Sequence, residues 1–315
     1  MKAMIVDKLS KQYRNGVQAL NELSLTVEEG EIFSLLGQNG SGKSTLINIL
    51  TTHLKPTSGQ ARMLGKDLRT ETSVIRRQIA CVAQKTSIDP YLSLRENLMF
   101  QSRLYKIPKM EAEKRMKNLI ASFGLERYLS YPVVSYSGGV KRRLDVALNM
   151  MSNPKILFLD EPTVGMDIQS RQAMWQMMKR IQSDFGTTIF LTTHYLEEAD
   201  NLSDTICIIR EGKETAQGSP DALRRYLKQN LLKITFKDPL SAKSAAVQLR
   251  EGFIASEVKW KENTALLPVE DSSEALPQAA RFLIEQTIPF TGIEAVSPTI
   301  EDVFLHLTSE REELL

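Results

Sequence analysis

No stretch constrains this chain more than Gly37-Gln38-Asn39-Gly40-Ser41-Gly42-Lys43-Ser44-Thr45, which satisfies G-x-x-x-x-G-K-[ST] in full. Ahead of it, Glu31-Ile32-Phe33-Ser34-Leu35-Leu36 is short and apolar, the pattern of a strand buried in a parallel sheet. Behind it, Thr45-Leu46-Ile47-Asn48-Ile49-Leu50 reads as a helix leaving the loop directly. Strand, glycine-rich loop and helix in that order make a phosphate cradle. The glycines let the backbone curl until its N–H groups point inward at phosphate oxygens. The helix amino terminus adds partial positive charge. Lys43 then reaches the β- and γ-phosphates, and the Ser44 hydroxyl is placed to ligate Mg²⁺. A nucleoside triphosphate is the expected ligand.

Other features narrow what surrounds that loop. A length of 315 residues suggests two domains. A net charge of +2 gives no case for a nucleic-acid partner, because acids match bases along most of the chain. The densest basic run, Lys141-Arg142-Arg143, reads as a solvated helical face. Cys81 and Cys207 lie inside apolar runs and read as buried thiols in a reducing compartment. Three histidines without a C-x-x-C argue against structural zinc. The first residues lack a secretory hydrophobic core, and no apolar run approaches the roughly twenty residues of a membrane span. The expected location is cytoplasmic, with any membrane role reached through a partner.

Taken in order, residues 1–30 alternate apolar and polar positions and predict antiparallel strands beside the loop, turning at Asn15-Gly16. Tyr13, before that turn, is an aromatic able to stack on adenine; taken alone it reads as a turn tyrosine half covering the sheet. Ile79-Ala80-Cys81-Val82-Ala83 predicts a buried strand ending at Gln84, and residues 92–130 turn to helical spacing. A helical insertion over about 85–150 is therefore expected between two parts of a parallel sheet. Ser137-Gly138-Gly139 opens a helix and is a second potential anion site. Ile156-Leu157-Phe158-Leu159 predicts a strand whose end presents Asp160 and Glu161, at the sheet edge where ligands bind in open α/β folds. Residues 169–183 read as a helix, with Met174, Met177 and Met178 as core packing, and Thr187–Thr193 as a strand ending at His194. After about residue 225 the order βαββαβ, with strands at 231–237, 255–261, 264–270 and 289–296, predicts a small ferredoxin-like α+β domain over 226–315.

Together these motifs resemble the ATP-binding subunit of an ABC transporter over residues 1 to about 225. Gly37–Thr45 is similar to its Walker A loop, Ile156–Glu161 to Walker B, Gln84 to the Q-loop glutamine, Gly165-Met166-Asp167 to the D-loop, His194 to the switch histidine and Tyr13 to the adenine-stacking aromatic. The tail Ser297–Leu305 resembles the ending of bacterial drug-resistance ATPases that pair with a separate export permease. The signature segment departs from Leu-Ser-Gly-Gly-Gln: here it is Tyr136-Ser137-Gly138-Gly139-Val140.

The resemblance implies a P-loop NTPase with an antiparallel β subdomain and a helical insertion. It also implies ATP and Mg²⁺ as cofactors, and ATP hydrolysis. By the same resemblance Gly37, Gln38, Asn39, Gly40, Ser41, Gly42, Lys43, Ser44 and Thr45 hold phosphates. Ser44, Gln84 and Asp160 manage the metal, Glu161 is the general base, and His194 meets the γ-phosphate. Ser137, Gly138 and Gly139 would cover the ATP of a second subunit, either another copy or a paralogous ATPase, so that two chains sandwich two ATP molecules. A multi-span membrane permease is the other implied partner, reached from the inner face of the membrane. Substitutions at Tyr91 or Arg95 are expected to disturb the groove that receives it. A soluble non-transport ABC ATPase is the competing class, set aside because the chain carries neither a second nucleotide domain nor a long coiled-coil insertion. A sensor that binds ATP without turnover has no need of Glu161.

Overall fold

The alternation over the first thirty residues becomes two long antiparallel strands, β1 (Lys2–Gln12) and β2 (Gln18–Glu28). In this computed structural model, which describes residues 1–226, 230–252, 258–269, 272–296 and 298–309, they share a sheet with β4 (Ser58–Met63) and β5 (Lys66–Asp67), in the order β2-β1-β4-β5. Between them in sequence come β3 (Ile32–Leu36), buried at every residue, and α1 (Lys43–Leu50). A short α2 (Thr72–Arg76) leads to β6 (Ile79–Val82).

The helical insertion follows. It consists of α3 (Leu94–Leu104), α4 (Lys109–Ser122) and α5 (Gly138–Met150), packed on one another. Ser93 starts α3 with a reciprocal cap: its hydroxyl accepts from the Glu96 amide at 3.2 Å, and the Glu96 carboxylate accepts from the Ser93 amide at 2.8 Å. Then come β7 (Ile156–Asp160), α6 (Ile168–Phe185), β8 (Thr188–Thr193), α7 (Leu196–Leu202), β9 (Thr205–Arg210) and β10 (Lys213–Gly218). The second sheet runs β10-β9-β3-β8-β7-β6, parallel except for β10. The loop-bearing β3 is thus central, and the strand ending in Asp160 lies two places away, with β8 between them. Phe33, Phe158 and Phe190 are fully buried between the two sheets, with Phe33 stacked on Phe190 at 5.2 Å. Each such ring contributes about 2–3 kcal/mol by leaving water.

The chain divides into two compact units, Met1–Pro220 and Asp221–Leu315. After α8 (Pro220–Tyr226), the second unit is built from β11 (Asn230–Thr235), α9 (Pro239–Gly252), β12 (Lys259–Lys261), β13 (Thr264–Val269), α10 (Ser272–Glu285), β14 (Gly292–Val296) and α11 (Ile300–Ser309). The sheet order β12-β13-β11-β14 is wholly antiparallel, the arrangement of a split-βαβ domain. Of the strand expected over 255–261, residues 255–257 lie outside the described residues; Lys259–Lys261 is extended. The first strand places Leu232, Ile234 and Phe236 in the core and leaves Leu231 half-buried, so the period-two stripe is one residue away from the Leu231 start read from sequence. Among the described residues no helix is long and apolar enough to cross a membrane.

Candidate functional site

The carboxyl ends of β3, β7 and β8 deliver their loops to one edge of the parallel sheet. There an open cavity of about 380 Å³ is lined by Asn39, Gly40 and 42–45 of the loop, with Ala19, Gln84 and Glu161. Gly42 carries φ +107°, and a Cβ there would lie 2.4 Å from the Ala19 carbonyl oxygen. Only glycine allows the loop to press against β2 and turn into α1 at that point. Lys43 is 5% exposed, and its Nζ donates to the Gly37 and Gln38 carbonyls at 2.7 and 3.0 Å. Burial draws its pKa down, while the carboxylates of Glu161 and Asp160 push it back up. The ammonium is therefore folded onto its own loop at the edge of the cavity. The Ser41 hydroxyl is buried with no hydrogen-bond partner.

Glu161 is the hub of the other wall. Its carboxylate accepts from Gln84 Nε2 at 3.3 Å, lies 3.3 Å from His194 Nδ1 and stands 4.0 Å from Lys43 Nζ. Its backbone sits at φ +46°, a left-handed conformation that costs a non-glycine residue of order 1 kcal/mol or more. Thr192 holds it there: the Thr192 hydroxyl accepts from the Glu161 amide at 3.1 Å and donates to Asp160 Oδ1 at 2.7 Å. One buried threonine on β8 thus fixes both acidic residues at the end of β7.

The remaining candidate residues are not all in this cavity. Tyr13 is 38% exposed, and its hydroxyl pairs with Thr45 Oγ1 at 3.2 Å, which brings the ring to the start of α1. Ser137, Gly138 and Gly139 are absent from the cavity lining. Ser137 caps α5, its hydroxyl accepting from the Val140 amide at 3.4 Å. Val140, where the resembling family has glutamine, is buried in the core of the helical insertion. The Val140 side chain serves packing there, where a glutamine would carry an amide.

Sequence reasoning missed four participants. Ala19 reaches the cavity from β2, and Thr192 sits in a run legible only as a buried strand. Arg142 was read as part of a solvated basic face, but it is 5% exposed. Its guanidinium bonds to backbone carbonyls beside the site, and this overturns the reading for that residue. Glu198 on α7 is fully buried; its Oε1 accepts from Thr163 at 2.8 Å and from the Trp175 indole at 3.1 Å, and burial raises its pKa. Helical spacing placed Glu198 on no recognisable motif, and only the meeting of α6, α7 and the loop after β7 gives it partners.

The donor set suits a Mg²⁺-nucleotide. A glycine-rich turn, a buried cation and the hydroxyl-bearing Ser44 and Thr45 line the cavity that the helix amino terminus opens into. Among the described residues no three acids or histidines cluster as a protein cage for a metal. Mg²⁺ seldom needs one, since it is held by one or two protein oxygens with substrate phosphates and water. Fold and site together define a P-loop nucleotide-hydrolysing protein.

Residues 20–164 match the ABC transporter family. The chain is 35% identical to the doxorubicin resistance ATP-binding protein DrrA of Mycobacterium tuberculosis, over 99% of its own length and 96% of that protein. It is 36% identical to the daunorubicin/doxorubicin resistance ATP-binding protein DrrA of Streptomyces peucetius, over 98% and 92%. Among solved structures it resembles a dimeric ATP-binding cassette in a post-hydrolysis state bound to ADP and Pi, with TM-score 0.60 and 27% identity over 69% of this chain and 98% of that one. The chain belongs to the ABC transporter family, as an ATP-binding subunit that hydrolyses ATP with Mg²⁺.

Proposed function

We propose that this chain energises an exporter, dimerising around two Mg-ATP and driving a separate membrane permease from the cytoplasmic face. The observation that carries the hydrolytic half is Glu161, held by Gln84 and His194 within 4.0 Å of the buried Lys43. In this reading residues 37–45 hold the phosphates. Lys43 exchanges its own-loop carbonyls for phosphate oxygens, which relieves the cost of its burial. Tyr13 covers the base. Ser44, Asp160 and Gln84 hold Mg²⁺, whose chemistry is to neutralise phosphate charge and orient the leaving group. Glu161 takes a proton from the attacking water, and His194 donates to the γ-phosphate.

Export is supported by full-length similarity to proteins named for doxorubicin resistance. The dimer is supported by a dimeric structural relative, and by a signature turn that lies outside the cavity of its own chain. In the first unit, residues 85–150 form the helical subdomain. Residues 226–315 are an accessory domain that keeps subunits together while nucleotide sites open, raising the partner's effective concentration.

The test is ATP-driven extrusion. The chain and its permease are placed in vesicles with doxorubicin as probe, and the Glu161→Gln variant is the control. Transport by the parent and none by the variant is expected. Equal transport by both refutes the role of Glu161, and no transport beside normal ATP turnover refutes export of this class of compound.

A further inference from the structure

Arg142 is buried on α5, and its planar guanidinium sends three nitrogens in three directions. Nη1 donates to the Ala83 carbonyl, Nη2 to the Asp160 carbonyl at 3.1 Å, and Nε to the Pro162 carbonyl at 3.3 Å. Ala83 immediately precedes Gln84; Asp160 and Pro162 flank Glu161 on either side. The same Nη1 lies 3.6 Å from Asp145 Oδ2, one turn along α5. Asp145, 1% exposed, accepts from the Ser87 amide at 3.1 Å and the Ser87 hydroxyl at 2.7 Å through Oδ1.

The pair therefore grips the backbone on both sides of Gln84 and both sides of Glu161. Three carbonyl oxygens converging in a part-buried space repel one another and need a donor. A guanidinium fork is the one side chain able to serve all three while keeping an ion pair. What the clamp fixes is a separation: Gln84 Nε2 meets Glu161 Oε2 at 3.3 Å, and neither side chain is bonded to α5 itself. Neither Arg142 nor Asp145 lines the cavity; the side chains of both bond to backbone groups, the Ser87 hydroxyl and each other.

We propose that Arg142, braced by Asp145, is a positioning residue for hydrolysis, setting the distance between Gln84 and Glu161 through their backbones. This rests on the hydrolytic roles proposed above for those two residues. Because Ser137 caps α5 and Gly138 and Gly139 begin it, the turn assigned to the partner's nucleotide and the clamp on the chain's own base stand on one helix.

The test compares the parent with Arg142→Lys, Asp145→Asn and the double variant. An ammonium in place of Arg142 keeps the buried charge but serves fewer carbonyls, so the chain folds while the clamp loosens. Arg142→Lys is expected to lower kcat at least about tenfold while KM for ATP stays within about twofold, since misplacement of a catalytic group costs turnover and not uniform binding. Asp145→Asn is expected to cost about threefold, and to add nothing on top of Arg142→Lys, as members of one network behave. A second readout needs no turnover. Amide hydrogen exchange in the nucleotide-free protein should quicken at residues 84–88 and 160–164 in Arg142→Lys and stay unchanged elsewhere in the parallel sheet.

Parent-level kcat in Arg142→Lys overturns the proposal. So does faster exchange across the whole sheet, which marks a merely structural role, and so do fully multiplicative losses in the double variant. If the parent itself shows no turnover beyond Glu161→Gln, the proposed function fails while the exchange comparison still decides the clamp.

Discussion

Thr192 offers a severe check on how the hydrolytic site is built, because one hydroxyl holds both acids in place. Thr192→Val preserves shape in a fully buried position and removes only the hydroxyl. It deletes a bond to the Asp160 carboxylate, worth about 1.5–3 kcal/mol, and strands the Glu161 amide, at a further ~1–3 kcal/mol. Asp160 and Glu161 are half-buried, so water recovers part of this, and a net loss of about 2–4 kcal/mol is expected. Thr192→Ser keeps both bonds and deletes one methyl group, at about 1 kcal/mol.

The gap between the two variants, about 1–3 kcal/mol, isolates the hydroxyl. Urea unfolding followed by Trp175 fluorescence measures it in the first unit, in a Trp260→Phe background that silences the chain's other tryptophan. Turnover should separate the variants as well. Without Thr192 to hold it, the φ +46° backbone of Glu161 relaxes, and kcat should fall about tenfold or more for valine, which corresponds to 1.4 kcal/mol of lost positioning. Serine should stay within about twofold of the parent. A valine variant as stable and as active as the serine variant refutes the reasoning.

Glu161→Gln is expected to abolish hydrolysis yet retain ATP affinity in a filter-binding assay, whereas Lys43→Ala should weaken binding about 10–100-fold, the loss of one charge-assisted contact. In the Glu161→Gln background, Mg-ATP should double the mass seen by light scattering, and Ser137→Arg should hold the protein at monomer mass by placing bulk and charge at the start of α5; a dimer in both would remove that turn from the interface. Glu198 has its pKa raised by burial, so its contribution is fully present below the ordinary carboxylate pKa and is lost as pH rises through the raised value. Melting temperatures from pH 5 to 8 should therefore show Glu198→Gln gaining on the parent as pH rises, and a constant offset across that range would contradict a perturbed Glu198.

Much of this protein is local and was fixed by the sequence. The loop 37–45, the buried β3 ahead of it and the helix behind it follow from glycine spacing and apolar runs, because backbone curvature and burial are properties of neighbours along the chain. The two-acid ending of β7 and the histidine ending of β8 are local in the same sense, as is the βαββαβ order of the second unit. What the sequence left open are relations between distant segments. Nothing in the run Thr187–Thr193 singles out Thr192; its role exists because β8 lies beside β7 in register, pairing Asp160 with Thr192. Lys141-Arg142-Arg143 looks like surface because three adjacent charges seldom share a fate. On a helix they point about 100° apart. Of the three, Arg142 is the buried one, bonded to carbonyls from residues 83, 160 and 162 that meet only after the parallel sheet has formed. Burying a guanidinium costs too much unless such acceptors converge on it, and their convergence is decided by tertiary structure alone.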